Sequence, residues 1–214
     1  MDITPILAFF DVRNKLDAIF FQFRIKKTVT LRVYGQKFKI SNVSLPYTLG
    51  VLYNVFRKQI YKDLEIQGKK VIDVGGYIGD SSIYFASRGA SKVYSVEAYP
   101  QLANLIKENA KLNRFKIEVI NATISPKKYE AISENVLVSG KLMGGGRRKV
   151  RGLRITKLPK ADVLKINLDH VVDSYIMNEM PVLKKKYVQI YWKRHFKNSN
   201  RIIVIGSKLT QSLR

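Results

Sequence analysis

The sequence predicts an α/β fold in which a mainly parallel sheet carries helices on both faces, preceded by an α+β N-terminal extension. From Gly68 onward, short apolar runs alternate with amphipathic segments, as in parallel strands joined by crossover helices. Before Gly68 the order is helix, two alternating strands and helix. We therefore expect an extension over residues 1–67, on the substrate side or in contact with a partner, and an α/β domain over residues 68–214.

The extension is predicted to begin with a helix that runs to about Phe23. Thr4-Pro5 is typical of an N-cap followed by proline at the first helical position. The apolar stripe of this helix is more typical of a core or partner-helix contact than of a membrane-surface anchor. It consists of Ile6, Phe9, Phe10, Leu16, Ile19, Phe20 and Phe23.

A hairpin and a second helix are expected to complete the extension. Residues 29–33 alternate between apolar and polar types, Gly35 marks a turn, and Phe38 and Ile40 belong to a return strand. The second helix is predicted over residues 46–64.

The α/β domain is predicted to contain strands and helices in alternation. The strands are expected at residues 71–74, 93–96, 117–120, 163–168, 187–191 and 202–205, and the helices at 80–88 and 100–112. The biased segment from Lys141 to Arg151 is expected to form a flexible basic loop or a loose hairpin.

A glycine turn after the first of these strands is the sharpest motif. The run Val71-Ile-Asp-Val-Gly-Gly-Tyr-Ile-Gly-Asp contains glycines at 75, 76 and 79, where a ligand and the next helix approach the backbone closely. The following strand ends in Glu97, where an acid can accept hydrogen bonds from both ribose hydroxyls of an adenosine ligand. Together these features predict an adenosine-cofactor site.

The residues around the turn favour a cationic cofactor. The glycines do not have the G-x-G-x-x-G spacing of dinucleotide sites, and no Walker lysine motif is present. Asp73, beside the turn, would repel a pyrophosphate, but it suits the sulfonium and ammonium groups of S-adenosylmethionine. No metal is expected, because the sequence contains no cluster of metal ligands and no cysteine.

The run from Asp73 to Glu97 resembles the first two motifs of class I S-adenosylmethionine-dependent methyltransferases. Over Val71–Asn113 the sequence is similar to the FkbM-type family, in the segments Ile-Gly-Asp-Ser-Ser-Ile-Tyr-Phe, Val-Tyr-Ser-Val-Glu-Ala-Tyr-Pro and Glu-Asn-Ala-Lys-Leu-Asn. Leu164-Lys-Ile-Asn-Leu-Asp-His resembles a later motif of that family. The resemblance covers residues 60–170 and implies a Rossmann-like methyltransferase fold, S-adenosylmethionine as methyl donor and S-adenosylhomocysteine as product.

The resemblance also implies roles for individual residues. Asp73, Gly75 and Gly79, with Gly76 and Tyr77 in the same turn, would shape the methionine and sulfonium end of the site. Tyr77 would either close over the cofactor or pack. Glu97 would hold the ribose, and Ala98 and Tyr99 would lie near the adenine. Asn121 and Ala122 would contact the adenine amino group.

The likeness to the FkbM family implies transfer of a methyl group to a sugar hydroxyl. A hydroxyl needs a base or good alignment, because its proton must be removed. Asp169 and His170 are the candidates for that base. The motif departs from the family at three positions: Asn167 replaces aspartate, Asp169 replaces glutamate and His170 replaces glycine.

Positive charge is concentrated in three segments. The chain has 39 Lys and Arg against 16 Asp and Glu, a net charge of +23, whereas residues 63–135 alone carry a net +1. Residues 18–62, 136–161 and 180–214 contain no acid. This pattern indicates an anionic partner: nucleic acid, a phosphorylated glycan or an anionic membrane surface. Within the basic loop, the candidate residues for such a surface are Arg147, Arg148, Lys149 and Arg151.

Three functions remain open at the level of the sequence. The first is O-methyl transfer to a hydroxyl of a sugar-containing or polyanionic acceptor, and the second is RNA or DNA methylation that uses the basic segments. The third is a non-catalytic nucleic-acid-binding protein on a methyltransferase fold. We expect a cytoplasmic protein, because acids interrupt the N-terminal apolar run and no run reaches the ~18 residues of a membrane span.

Overall fold

The computed structural model describes residues 3–41, 43–133, 147–168, 173–193 and 202–205. The helices are α1 Thr4–Asp11, α2 Lys15–Gln22, α3 Leu45–Leu52, α4 Asp80–Ser87, α5 Pro100–Leu112 and α6 Asp173–Lys186, with a π-helical turn at Tyr53–Arg57 and a 3-10 turn at Ile155–Lys157. The strands are β1 Thr28–Val33, β2 Gln36–Ser41, β3 Lys70–Val74, β4 Lys92–Glu97, β5 Ile117–Asn121, β6 Thr123–Ile124, β7 Tyr129–Ser133, β8 Arg147–Leu153, β9 Val163–Asn167, β10 Gln189–Lys193 and β11 Ile202–Ile205.

The central sheet confirms the predicted fold class. Its strand order is β11-β10-β9-β3-β4-β5, and five of the six strands are parallel, whereas β11 runs antiparallel to β10. The chain moves outward from β3 to β5 and then returns to the other side of β3 as β9. The strand order therefore reverses between β3 and β9, and ligands bind at such a switch point, at the carboxyl ends of the strands.

Helices cover both faces of the sheet, as predicted. Successive residues of a strand point to opposite faces. Val71 of β3 packs with Tyr84 and Phe85 of α4. Its neighbour Ile72 packs instead with residues of α6, including Leu183. The protein therefore has a Rossmann-like α/β core, with α4 on one face of the sheet and α6 on the other.

The N-terminal helix is broken in two, contrary to the prediction of one helix to Phe23. The break lies at residues 12–14, where the chain bonds to β1 instead of continuing the helix. Arg13 N donates to Arg32 O at 2.8 Å. The Asn14 side chain donates to Thr30 O at 2.9 Å and accepts from Arg32 N at 2.9 Å. These bonds to a strand edge replace helical hydrogen bonds. The N-cap is Ile3, so the prediction of Thr4 was also wrong by one residue.

The apolar stripe of the first two helices is largely exposed, which corrects its predicted role as a core contact. Of its seven residues only Phe9 is partly buried against the core, and the other six are exposed. Instead, small residues on the opposite side, Ala8 and Ala18, pack into the core with Val12.

Asn109 of α5 and Asn113, directly after the end of that helix, attach the extension to the α/β core. The Asn109 side chain accepts from Lys39 N at 2.6 Å and donates to Ile78 O at 2.8 Å. One turn later, the Asn113 side chain accepts from Lys37 N at 2.8 Å and donates to Lys37 O at 2.7 Å. These amides act as partners for the outer edge of β2. The division between residues 67 and 68 stays a prediction.

Other element boundaries also differ from the sequence-based expectations. The second helix ends at Leu52 and continues only as the π-helical turn, and the predicted strand at 187–191 lies at 189–193. The sequence did not predict α6, which contains Pro181. None of the helices in the described ranges is long and apolar enough to cross a bilayer.

Candidate functional site

The register of β3 and β4 brings the glycine turn and Glu97 together. Val74 and Val96 are paired across the two strands, so that the turn begins directly beside the end of β4. Gly75 N donates to Val96 O at 2.9 Å and Gly76 N approaches the same oxygen at 3.3 Å. The two parts of the predicted motif thus lie at the same edge of the sheet.

Close packing explains why the turn contains glycines. Gly75 has a φ of +79°, and a Cβ there would overlap the carbonyl oxygen of Asn167 at the end of β9. At Gly76 a Cβ would overlap Ser95 Oγ. Gly79 has a φ of +92° and lies against Ile106 of α5. The turn is therefore confined by β4, β9 and α5, and its glycines are required by the protein itself as well as by any ligand.

Glu97 is buried and oriented by the backbone. Its side chain accepts hydrogen bonds from Tyr77 N and Tyr99 N, both at 2.9 Å, and the residue is only 6% exposed. A carboxylate offers about four acceptor positions, of which these two amides use one on each oxygen. The remaining lone pairs can accept from a pair of ligand hydroxyls.

Tyr77 packs against the N-terminal extension, and its contact with a cofactor stays a prediction. Its hydroxyl forms a 2.8 Å hydrogen bond with Thr48 Oγ1, and its ring meets that of Tyr47 edge-on, with centroids 5.4 Å apart. Its φ is +50°, in the left-handed region that residues other than glycine rarely adopt. That conformation directs the Tyr77 amide at Glu97, so α3 helps to hold the acid in place.

Asp73 is already neutralised by a lysine, which corrects the expectation of a free negative charge beside the turn. Lys165 Nζ of β9 lies 2.7 Å from Asp73 Oδ1, and the two side chains are 1% and 0% exposed. Ser81 Oγ and Ser82 Oγ donate to Asp73 Oδ2 at 2.7 and 2.5 Å. The same ammonium donates to Gly75 O at 3.0 Å. The Asp73–Lys165 pair thus stabilises the backbone of the glycine turn. Contact between Asp73 and a cofactor stays a prediction.

Asp80 is an acid of the site that the sequence analysis missed. It opens α4 directly after Gly79, and it is 5% exposed. Within the described part of the chain, its Oδ1 has no hydrogen-bond partner. An acid at the start of a helix is ordinarily explained by its interaction with the helix dipole. Only the burial of Asp80 shows that it can also belong to a binding site. A buried, unpaired carboxylate oxygen is costly unless a ligand satisfies it.

Burial makes the carboxyl groups of Glu97 and Asp80 easier to protonate. It raises the pKa of the Glu97 carboxyl to about 7, against the opposing effects of the bonds from Tyr99 and Tyr77. It likewise raises the pKa of the Asp80 carboxyl to about 7, although Lys165 lowers it. When ionised, Asp73, Asp80 and Glu97 carry three negative charges against one on Lys165. The surplus of −2 favours a ligand with positive groups over a pyrophosphate.

The residues predicted to contact the adenine lie next to one another and are joined by hydrogen bonds. Asn121 Nδ2 donates to Glu97 O at 2.8 Å and to Ala98 O at 3.0 Å, and Ala122 N donates to Glu97 O at 3.0 Å. Ala122 is buried, whereas Asn121 is exposed and Ala98 and Tyr99 are partly exposed. The Asn121 amide is thus already used to hold the segment after β4, and its contact with an adenine stays a prediction.

A basic hairpin, defined here as β7 and β8, continues from the strand next to Glu97. Its two strands pair antiparallel, with Tyr129 opposite Arg151, so that residues 147–151 of the predicted basic loop form a strand. Arg147, Arg148, Lys149 and Arg151 are all exposed. Tyr129 is 46% exposed, and Lys149 Nζ lies 4.3 Å from the centroid of its ring. The hairpin therefore offers a cationic surface with an accessible aromatic ring.

The predicted catalytic pair, Asp169 and His170, lies outside the described residues. Asn167 is described and has its backbone against Gly75, so that the end of β9 reaches the glycine turn. Among the described residues, no three His, Asp or Glu side chains are grouped to hold a metal ion.

Comparison with known proteins reveals local and partial likenesses. No protein-family model matches the chain, so the likeness to the FkbM family stays a resemblance. A stretch of 74 residues is 42% identical to protein arginine N-methyltransferase 6 of Danio rerio, covering 33% of this chain and 21% of that protein. The chain thus spans about a fifth of the length of that relative.

Two archaeal structures are similar in outline. One is the tRNA m1G37 methyltransferase of Methanocaldococcus jannaschii (15% identity, 78% of this chain, 44% of that chain, TM-score 0.47). The other is TYW2 of Pyrococcus horikoshii in complex with MeSAdo (15% identity, 78% of this chain, 52% of that chain, TM-score 0.47). Likenesses at this level do not establish a family. The chain's own topology and contacts establish a Rossmann-like α/β fold, with a glycine turn and two buried acids at the carboxyl edge of its sheet.

Proposed function

We propose that this protein is an S-adenosylmethionine-dependent methyltransferase. The observation that carries the proposal is the buried group of Asp73, Asp80, Glu97 and Lys165 around a glycine turn, with its surplus of negative charge. S-adenosylmethionine is an adenosine ligand with two cationic groups, and it matches both the ribose-binding acid and the charge. The local likeness to an arginine methyltransferase supports the same reaction class.

Different residues of the site bind different parts of S-adenosylmethionine. Glu97 accepts from the ribose hydroxyls, and the segment from Ala98 to Tyr99 borders the adenine. Asp80 faces the cationic end with its free oxygen, and the Asp73–Lys165 pair holds the backbone of the turn. When bound, the cofactor supplies a methyl group that is already activated on sulfur, so the protein contributes mainly proximity and alignment. We keep Asp169 and His170 as the candidates for removing the acceptor's proton.

The acceptor that we propose is a polyanion that carries sugar hydroxyls, with RNA as the first candidate. The basic hairpin begins just beyond β5, at the same edge of the sheet as Glu97. Its cations suit a phosphate backbone, and the exposed Tyr129 ring suits a stacked base. A charged glycan is the second candidate, because the FkbM-like motifs imply a sugar hydroxyl. We also propose that the protein acts in the cytoplasm.

Replacing Glu97 with glutamine is expected to weaken S-adenosylmethionine binding by about tenfold or more, or roughly 1.4 kcal/mol. The glutamine amide can accept at only one atom, so that the ribose hydroxyls compete with two backbone amides for one acceptor. Isothermal titration calorimetry of both proteins with S-adenosylmethionine and S-adenosylhomocysteine measures the change. Glu118→Gln, on the neighbouring strand and exposed, is the matched control and should bind normally. Absence of binding to the unaltered protein would refute the proposal.

The affinity should also depend on pH in a defined direction. Since burial raises the pKa of Glu97 to about 7, its charged form, which accepts hydrogen bonds, is lost as the pH falls below that value. Titrations at pH 6 and 8 in matched ionic strength should therefore show weaker binding at pH 6. Glu97→Gln should reduce this difference, because it removes one of the two titrating acids.

Removing positive charge from the basic hairpin is expected to reduce acceptor binding. The double variant Lys149→Gln/Arg151→Gln removes two cations from one exposed strand, and we expect weaker binding of single-stranded RNA with a shallower salt dependence. Lys184→Gln/Lys185→Gln makes the same change of charge on α6 and is the control. Fluorescence anisotropy over a salt series measures both, and methyl transfer from labelled donor to RNA and to acidic glycans identifies the acceptor. Equal losses in the two variants would exclude the hairpin as the acceptor surface.

A further inference from the structure

The exposed apolar side chains of this protein are concentrated at its N-terminus. Fourteen large hydrophobic side chains are exposed among the described residues, and nine of them lie between Ile3 and Ile25. Phe10 and Phe23 are 67% and 73% exposed. Isolated surface hydrophobics need no explanation, but a concentration of this kind marks an interaction site.

The exposed residues surround an apolar groove that three helices build together. The groove has a volume of about 290 Å³, and apolar side chains form nearly all of its lining. α1 contributes Ile6 and Phe10, α2 contributes Ile19 and Phe23, and α3 contributes Leu49 to the floor. Because four of these side chains are also exposed, they form a continuous apolar face, which we call the N-terminal face.

Basic side chains border the N-terminal face. Five lie within or next to its helices: Arg13, Lys15, Arg24, Lys26 and Lys27, all exposed. Among the described residues of this segment, both acids are engaged within the protein. Asp17 bonds to Lys26 at 2.6 Å, and Asp11 accepts from the Tyr34 hydroxyl at 2.9 Å. The border is therefore positively charged overall.

We propose that the N-terminal face docks on an anionic lipid surface. Amphipathic helices with aromatic and aliphatic residues on one side and Lys and Arg beside them bind in the interface of such membranes. A second copy of the chain is a poorer occupant, because each copy carries a net charge of +23. Residues 194–201 and 206–214 carry five Lys and Arg and no acid, so that these segments suit a positively bordered face poorly. The proposal does not depend on the reaction that the protein catalyses.

Vesicle sedimentation tests the proposal with the complete protein. We expect binding to vesicles that contain phosphatidylglycerol and much weaker binding to pure phosphatidylcholine. The double variant Phe10→Ser/Phe23→Ser should reduce the partition coefficient on anionic vesicles by at least about tenfold, because it removes two apolar anchors without changing any charge. Both side chains are more than two-thirds exposed, so that folding is expected to persist, which circular dichroism and thermal unfolding check.

A matched variant on another helix separates docking from general surface apolarity. Met177→Ser/Val182→Ser removes two half-exposed apolar side chains from α6 and should leave vesicle binding unchanged. Leu16→Ser/Ile25→Ser is a second pair on the N-terminal side, to be used if the phenylalanine variant does not fold. Equal binding by the wild type and these N-terminal variants would mean that charge alone drives adsorption and would overturn the proposal. So would the absence of any binding, or a dimer in light scattering that the phenylalanine substitutions dissociate.

Discussion

Replacing Lys165 with methionine is expected to reduce the free energy of unfolding by about 3–5 kcal/mol. The substitution leaves the Asp73 carboxylate fully buried without its cation, and the two serine hydroxyls do not supply a compensating charge. Because Lys165 also donates to Gly75 O, the glycine turn loses a support, and S-adenosylmethionine binding should weaken in parallel. Urea unfolding followed by circular dichroism measures the first effect and calorimetry the second.

Two further variants identify the cause of such a loss. Lys92→Met removes the lysine from an exposed ion pair with Glu118, so the loss of stability there should be much smaller. The double variant Asp73→Asn/Lys165→Met removes both buried charges, and it should recover much of the stability that the single variant loses. If Lys165→Met were no more destabilising than Lys92→Met, the buried pair would have no structural role.

Replacing Gly75 with alanine is expected to lower the free energy of unfolding about as much as Lys165→Met does. Its effect arises at the glycine turn itself. The new Cβ overlaps the Asn167 carbonyl, and the backbone there has a φ of +79°. Either β9 moves away from β3 or the turn changes its conformation, and both changes displace Glu97 from the backbone amide of Tyr77. We expect a loss of several kcal/mol, as for overpacking and backbone strain combined, and no measurable cofactor binding.

Gly68 provides the matched control for this substitution. It has a similar φ of +71°, but a Cβ there meets nothing within 4 Å. Gly68→Ala should therefore cost only the penalty of the left-handed conformation, about 1–2 kcal/mol, and leave cofactor binding intact. Equal destabilisation by the two substitutions in urea unfolding would show that the contact with Asn167 is unimportant.

The sequence predicted the parts of the site that are close together along the chain. The strand ending at Val74, the glycines that follow it and the acid at the end of the next strand all depend on local patterns. Their meeting at one edge follows from parallel pairing, which the strand–helix alternation indicates. The predicted strand at 71–74, the helix at 100–112 and the last strand at 202–205 are confirmed for the same reason.

Contacts between distant segments could not be predicted in this way. Lys165 lies 92 residues after Asp73, and the two become partners because β9 pairs with β3 in a register that places them side by side. A one-residue shift of that register would turn the lysine to the other face of the sheet. The burial of Asp80 likewise depends on how α4 packs, since its position in the sequence suggests only a helix start.

The N-terminal segment shows where a periodic pattern is insufficient. Its apolar residues have helical spacing, and that spacing correctly predicts helices. The spacing does not show which side of the helices is buried, because that depends on their contacts with the rest of the chain. Ala8, Val12 and Ala18 pack into the core, and Asn14 bonds to the edge of β1. As a result Phe10, Phe20 and Phe23 are exposed, whereas Phe21 is buried in the core.

The sequence by itself thus determined the fold class, the position of the glycine turn and the acid opposite it, because these depend on residue type and short spacing. Only the tertiary structure decided the charge balance beneath the turn, the burial of Asp80 and the exposure of the N-terminal apolar face. The physical reason is that burial and pairing are properties of the register and packing of distant segments, which local periodicity does not encode.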